Sequence, residues 1–428
     1  MKQKTHGLPK SLPNFSLMAD QEVFEIEEKF GANHYGRVGL SVHKMQGAWL
    51  YDRQGKRYLD CLAAYSAANQ GHHHPFIVEA VKQALEENYA SVVSNVVYTP
   101  YLAAFLEKLT CLLPPLGIRF GDQRNKALLK NGGVESVETA LKVMRCYGHK
   151  VKGIPDGKQE IIVFRNNFHG RTLAVVSFSS TEKYRAGFGP IISGFREAEF
   201  GDLGSVEKLI NPHTCGILVE PMQGEGGMYV PPPGFLKGLR ELADFHDLFL
   251  VFDEIQVGLG RTGKMFCFEH EGVIPDGIIL GKALSGGMLP LSAFVTNSEV
   301  MNLVFQPGRD GSTFGGYPLA CVAGLAALEV ITKERLVENS ARRGLELKAR
   351  IQEIAKHSPL VKEVRGRGLF IGIEVKGGDA MKYCQQLLGY GLLVNDSHGH
   401  TIRISPPLII GGREINYLCR RLEKVLCP

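Results

Sequence analysis

The sequence predicts an α/β chain: a large domain around a mostly parallel sheet, with a smaller α+β domain built from both chain ends. Three observations carry this. Short β-rich runs alternate with helix-period patterns from about 75 to 320. After about 330 the pattern changes to long charged helices around a strand pair. A length of 428 residues is also more than one ordinary core holds. The expected division is 1–74, an N-terminal segment of the small domain, then 75–325, the large domain, then 326–428, the C-terminal part of the small domain.

The elements follow in order. Residues 21–30 have a helical pattern. Residues 48–60 read as two short strands about the turn cluster Arg53-Gln54-Gly55-Lys56. Runs at 127–130, 161–164, 174–178, 216–220, Phe249–Asp253 and Gly277–Leu280 read as strands. Val134, Val137, Leu141 and Met144 are spaced for one helix face, and so are Leu236, Leu239 and Leu242. Residues 334–357 form a long charged amphipathic helix. A strand pair follows around Arg365-Gly366-Arg367-Gly368, then a helix at 380–388, a strand at Thr401–Ile404 and a closing helix at 414–426.

Composition excludes several function classes. Apolar residues at 44% against charged residues at 22% are those of a soluble globular protein. A net charge of +5 on this length points to no nucleic-acid partner and no polybasic membrane anchor. No apolar run approaches the roughly 18 residues of a membrane helix. The N-terminus lacks an apolar signal core and the first arginine is Arg37, so neither a secretory nor an Arg-rich presequence is expected. Nine scattered cysteines without a CxxC pair read as reduced thiols of a cytoplasmic protein.

The run Phe249-Leu-Val-Phe-Asp-Glu-Ile-Gln256 delivers Asp253 and Glu254 at a strand's C-terminal end, where open α/β sheets place their sites. A Walker B strand, a dinucleotide site and a carboxylate serving another cofactor compete for it. Gly258 to Lys264 fits GxxxxGK, but Met265 stands where Mg²⁺ binding needs Ser or Thr, and the loop follows the strand in the wrong order. The GxGxxG at Gly258–Gly263 has no room for a crossover helix and is weak among 50 glycines, so a tight turn explains it better. Lys282, in Gly281-Lys-Ala-Leu-Ser-Gly-Gly287, reads either as a surface lysine at a strand end or as a Schiff-base lysine of lowered pKa. Asn131-Gly-Gly-Val-Glu135 reads either as an ordinary strand–helix turn or as an anion site. Gly311-Ser-Thr-Phe-Gly-Gly316 is equally open. His72-His73-His74 lies in a turn without ligand spacing, and no metal is expected.

Together these pieces have the parts of a pyridoxal 5'-phosphate site: an amine, a carboxylate, a phosphate cup and a flat group. Phe252-Asp-Glu-Ile-Gln256, Leu280-Gly-Lys-Ala-Leu-Ser-Gly-Gly287, Phe168-His-Gly-Arg-Thr172, Val219-Glu-Pro-Met-Gln-Gly-Glu225 and the 311–316 loop resemble class III aminotransferases of the fold type I pyridoxal-phosphate superfamily. The likeness runs from about Gly31 to the last helix. It implies a seven-stranded, mostly parallel sheet. It further implies that Lys282 is the Schiff-base lysine and moves the proton, and that Asp253 pairs with the pyridinium nitrogen. Gln256 would approach the phenolic oxygen, and Phe168 would stack on the ring. Gly132, Gly133 and Val134 would hold the phosphate, the last two through backbone N–H groups. Thr313 would reach the phosphate of a neighbouring subunit, making a homodimer or larger with shared sites. Gly132 stands where many relatives carry Ser or Thr, and Ser136 where a small apolar residue is common.

Within the family, Gly31-Ala-Asn-His-Tyr35, Ala64-Tyr-Ser-Ala-Ala-Asn-Gln-Gly71 and His398-Gly-His-Thr-Ile-Arg-Ile-Ser-Pro-Pro407 are most similar to the branch acting on the δ-amine of L-ornithine. That resemblance implies transfer to 2-oxoglutarate, giving glutamate 5-semialdehyde, which cyclises to pyrroline-5-carboxylate, and glutamate. Tyr35 and Arg171 would grip the α-carboxylate, and Tyr65 would shape the pocket. Arg403, suited to the oxo-acid carboxylate, is expected to be masked by Glu225 while ornithine binds. The alternatives are an acetylornithine or 4-aminobutyrate aminotransferase, an aminomutase, and a non-catalytic protein that kept the fold.

Overall fold

The computed structural model describes residues 17–89, 91–121 and 123–428. The N-terminal residues read for targeting, up to position 15, lie outside the described residues. The first helix, Asp20–Phe30, buries nothing. Then come β1 (Lys44–Gln46), β2 (Trp49–Tyr51) and β3 (Arg57–Asp60), paired antiparallel about the expected turn.

The large sheet follows: β4 (Asn125–Lys130), β5 (Glu160–Phe164), β6 (Phe195–Ala198), β7 (Thr214–Val219), β8 (Phe249–Asp253), β9 (Gly277–Leu280) and β10 (Ser292–Asn297). Its order is β4-β10-β9-β8-β7-β5-β6. Only β10 runs antiparallel to its neighbours. The C-terminal ends of the other six therefore share one edge of the sheet.

Strands β7, β8 and β9 are buried along their whole length, which explains their uninterrupted apolar runs. Side chains alternate between two cores, as the two-residue strand period requires. Leu250 and Phe252 join one core with Leu236 and Leu239 of the helix Phe235–Phe245. Phe249 and Val251 join the other with Val137, Leu141 and Met144 of the helix Gly133–Lys150. The longest apolar run of the C-terminal half lies in the buried helix Pro318–Lys333.

The remaining strands are β11 (Val361–Arg367), β12 (Phe370–Val375), β13 (Leu392–Leu393), β14 (Asn395–Ser397) and β15 (Thr401–Ile404). The strand pair about Gly366 and Gly368 forms as read, with helices Leu336–His357, Ala380–Gly389 and Gly412–Leu426 around it. β13 pairs in parallel with β3, Leu392 opposite Leu59, so residues from both ends of the chain share one sheet.

The structure corrects the reading at 174–178, which contains the short helix Leu173–Val176. Val175 is buried on the core of the helix Gly133–Lys150 and Val176 is buried as well, and a short apolar run there has the same pattern in either conformation. Strands β6 and β10 were not read: β6 is half exposed at the sheet edge, and β10 mixes small and polar residues.

The glycine turn Gly258–Gly263 is a packing device. A Cβ on Gly263 would lie 2.9 Å from the Ala341 backbone in the helix Leu336–His357. Arg261, fully buried within the turn, donates to the carbonyls of Leu369 and Pro406 and to Asn69 Oδ1.

The nine cysteines are all unpaired. Among the described residues there is no cluster that could hold a metal ion. His72 and His74 pair instead with Asp60 and Glu334. No helix among the described residues is long and apolar enough to cross a membrane.

Candidate active site

Five strands of the large sheet deliver side chains to a cavity of about 160 Å³ at their common C-terminal edge. It is lined by Gly133 and Val134 after β4, Phe168 and His169 after β5, and Glu220 after β7. Asp253, Ile255 and Gln256 at the end of β8 and Lys282 after β9 complete the principal lining. This is the place at which parallel α/β sheets bind ligands.

Asp253 is opposite Ile279 in the β8–β9 register, so Lys282 follows three residues beyond that pair. Lys282 has φ 45°, in the left-handed region that β-carbon sterics disfavour. Burial pushes its amine down to about 8; Asp253 opposes that shift, and Arg403 adds to it.

Asp253 accepts the Ile255 N–H at 3.0 Å through one oxygen. Its other oxygen lies 2.7 Å from Nδ1 of buried His169. Burial alone would lower the His169 pKa, but Asp253, with help from Glu220, raises it overall. His169 Nε2 is buried and without a partner among the described residues. Glu220 accepts the N–H groups of Phe168 at 3.1 Å and Gly224 at 3.2 Å. Burial lifts its carboxyl to about 7.

Gly132 is the N-cap of the helix Gly133–Lys150. Its N–H and that of Asn131 are both taken by the Glu135 carboxylate, and its carbonyl accepts the Ser292 hydroxyl at 2.8 Å. Gly132 thus does not line the cavity, whereas Gly133 and Val134 do. As the first helical residues, those two have no carbonyl one turn back to bond. Ser136 is buried 2.8 Å from the Ser292 hydroxyl, so its hydroxyl joins the same buttress.

Gln256 donates to the Tyr65 carbonyl at 3.3 Å. Tyr65 sits in an unusual segment: Ala63, Ala64, Tyr65 and Ser66 have φ of 47°, 47°, 57° and 75°. Successive left-handed residues without glycine mark a backbone held by its surroundings. The Arg403 guanidinium lies 5.3 Å from the centre of the Tyr65 ring.

Arg403 is fully buried on β15 and donates through Nη2 to Glu225; its Nε and Nη1 have no partner among the described residues. Burial would raise the Glu225 carboxyl, but Arg403 outweighs it, so Glu225 is held below the usual carboxylate range. Further support for that loop comes from Ser397, which donates to the Glu225 carbonyl, and from Arg365, which donates to the Gly227 carbonyl at 2.7 Å.

Arg171 is exposed, stacked on Tyr184 and Phe168, with no ion pair to a described residue. Tyr35 is 59% exposed with its ring against His34, and Thr313 is exposed on the 311–316 loop; neither lines the cavity. Thr313 nevertheless follows Ser312, whose hydroxyl accepts Asn131 Nδ2 at 3.1 Å beside the turn.

Sequence reasoning assigned no role to His169, Glu220 or Tyr184. The first two stand inside motifs quoted for their neighbours, and burial is the property that sets them apart. Tyr184 carried no sequence signal at all.

An open α/β sheet with a half-buried lysine and a buried aspartate in one cavity at its C-terminal edge suits group-transfer chemistry, and known proteins show which class this is. The model of the family "Aminotransferase class-III" matches residues 30–426, and the chain belongs to that family. An ornithine aminotransferase of Staphylococcus aureus is 45% identical over 404 residues, 94% of this chain and 98% of the relative. The solved ornithine aminotransferase of Toxoplasma gondii superposes with a TM-score of 0.89 at 34% identity, covering 95% of this chain and 94% of that one. An acetylornithine aminotransferase of Elizabethkingia anophelis superposes with 0.84 at 36% identity, covering 95% and 98%.

The family is pyridoxal-phosphate-dependent, and the fold is its fold type I. The residues present fit that cofactor. The cavity offers an amine of lowered pKa, a carboxylate fixed by His169, the Phe168 ring and the helix-opening N–H groups of Gly133 and Val134.

Proposed function

We propose that this aminotransferase moves the δ-amino group of L-ornithine to 2-oxoglutarate, in two half-reactions at one site. The products are glutamate 5-semialdehyde, which cyclises to pyrroline-5-carboxylate, and glutamate. The relative named ornithine aminotransferase, 45% identical over nearly the whole chain, supports the substrate. The observation that carries the reading is the ion pair of Glu225 with the fully buried Arg403.

When bound, pyridoxal phosphate supplies an electrophilic carbon and an electron sink. The protein does the rest. Lys282 Nζ, neutral at a pH where an ordinary lysine is charged, acts as nucleophile and then carries the proton to and from the amine-bearing carbon. Asp253, oriented by His169, holds the protonated ring nitrogen. The N–H groups of Gly133 and Val134 bind phosphate at a helix N-terminus. Gln256 meets the phenolic oxygen, and Phe168 covers the ring.

Arg171 and Tyr35 take the α-carboxylate of ornithine, with Tyr65 shaping the space. Glu225 neutralises Arg403 meanwhile. The second substrate carries two carboxylates and displaces Glu225 from the guanidinium fork. Thr313 completes the phosphate site of a second copy, making a homodimer or larger of a cytoplasmic enzyme. The domains are 1–74 with 326–428, and 75–325.

The test is the visible absorption of the purified protein before and after L-ornithine, with N-acetylornithine and 4-aminobutyrate as controls. Bleaching mainly by ornithine is expected. Bleaching mainly by either control overturns the substrate, and no band after added pyridoxal phosphate overturns the roles of Lys282 and Asp253.

A further inference from the structure

Arg171 is an exposed cation with no ion pair to a described residue; it lies against two rings and also donates a hydrogen bond to the Tyr184 phenol. Its guanidinium carbon lies 3.8 Å from the centre of the Tyr184 ring and 5.4 Å from that of Phe168. The two rings meet edge to face, at 6.2 Å and 82°. Phe168 lines the cavity, so this three-part stack starts at the cavity wall and ends at Tyr184 on the short helix Glu182–Arg185. A free arginine side chain samples many rotamers, and a planar stack removes most of them before any substrate arrives.

The groups facing Tyr184 are informative. Glu225, Arg171 and Arg403 all act on its phenol. Tyr184 therefore stands among the two cations that could each take a substrate carboxylate and the one carboxylate that masks the second of them. If Arg171 were released from the stack, Glu225, which acts on the same phenol, would be a carboxylate open to it. Pairing there would remove Arg171 from the cavity and leave Arg403 unmasked.

We propose that Tyr184 is a specificity-determining positioning residue, which clamps Arg171 in the orientation that accepts the α-carboxylate of an amine donor and keeps it away from Glu225. The proposal rests on the reading that Arg171 grips that carboxylate. Tyr184 touches neither reacting atoms nor, on this account, the substrate. Its effect is confined to donors that carry a carboxylate at the end remote from the reacting amine.

The experiment compares two donors in the first half-reaction, followed by the absorption change of the holoenzyme. One is L-ornithine, and the other is 1,4-diaminobutane, the same chain without the carboxylate. Tyr184→Leu removes the ring face and keeps bulk. It is expected to lower kcat/KM for ornithine roughly tenfold, mostly through KM, and to leave the diamine within about twofold. Tyr184→Phe keeps the ring and is expected to retain the selectivity within about threefold.

An equal fall for both donors in Tyr184→Leu means a merely structural role and overturns the proposal, as does no fall for either. Arg171→Met separates the two layers of the argument. If it collapses the ratio of ornithine to diamine and Tyr184→Leu does not, the clamp is wrong and the grip stands. If Arg171→Met leaves the ratio intact, the grip itself is wrong and the clamp falls with it.

Discussion

Arg403 gives Glu225 a single nitrogen of its fork and keeps Nε and Nη1 buried without a partner among the described residues. A guanidinium in that state is half satisfied: its charge is balanced, but two of its nitrogens, with three N–H groups, remain open to a carboxylate that arrives later. Unpaired buried donors cost about 1–3 kcal/mol each, so the site gains when a ligand fills them. On the proposed reading, this would separate the two half-reactions by charge state without a movement of the β15 backbone.

Glu225→Ala leaves Arg403 bare. The α-carboxylate of ornithine should then dock on Arg403, which brings the α-amine to the reacting position. The expected result is a rise of about tenfold or more in the ratio of α to δ transfer, with a parallel rise for glutamate as donor. Analysis of the oxo-acid and semialdehyde products decides it. An unchanged ratio would show that Glu225 does not mask Arg403.

His169→Phe keeps a planar side chain and removes the 2.7 Å contact with Asp253. Among the described residues Asp253 then retains the Ile255 N–H on its other oxygen. A fall in kcat of about tenfold, about 1.4 kcal/mol, is expected with little change in KM. Stability gives an independent check. The folded pKa of His169 is raised, so its pairing energy is fully present below the unfolded value of about 6.5 and is lost as pH rises through the folded value. The Tm gap between the parent and His169→Phe should therefore be larger at pH 6 than at pH 9.

These two residues mark what the sequence discloses and what it hides. Asp253 and Lys282 are legible as candidates because one uninterrupted apolar strand ends on Asp253 and another ends two residues before Lys282, and strand ends in a parallel sheet are where chemistry sits. Glu225 and Arg403 are legible through the family resemblance, which poses a charge problem: a cation suited to one expected substrate would mis-seat the other. His169 and Glu220 are hidden, because their importance lies in complete burial beside Asp253, and sequence does not show burial. Tyr184 is hidden more deeply. Its partners lie 13 or more positions away along the chain, and stacking has no periodicity. Among the elements, β10 was missed because SAFVTN has neither the alternation nor the apolar density of its neighbours.

The Lys282 amine, at about 8, should set the pH dependence of cofactor uptake by the cofactor-free protein. Only the neutral amine attacks a carbonyl. Its fraction rises with pH and levels off above about 8, whereas an ordinary lysine near 10.5 would still be rising. At pH 7 the difference is roughly three-hundredfold in neutral amine. Trapping with pyridoxal phosphate and borohydride across pH 6 to 11 measures it. Asp253 favours the charged amine, so Asp253→Asn should move the plateau to lower pH. A rate still climbing through pH 10 would contradict the burial argument.

Gly344 tests the packing of the glycine turn against the long helix. In an exposed helix interior, Gly→Ala gains about 1 kcal/mol through backbone entropy. Here the helix Leu336–His357 buries Gly344 with Gly368 against it, and a β-carbon would fall 2.2 Å from the Gly368 carbonyl carbon and oxygen. The obstacle is backbone, and Gly368 cannot retreat freely. It has φ 55°, and a β-carbon of its own would meet the Thr262 backbone at 2.4 Å, so helix, β11–β12 turn and glycine turn are stacked chain on chain. Relief would have to come from sliding the helix off the turn that holds buried Arg261. Overpacking of that kind costs about 1–3 kcal/mol, which exceeds the propensity gain. Gly344→Ala should therefore lower Tm by several degrees in the holoenzyme, with KM for ornithine unchanged. A Tm equal to or above that of the parent would mean that the helix and the turn are not in contact at this point.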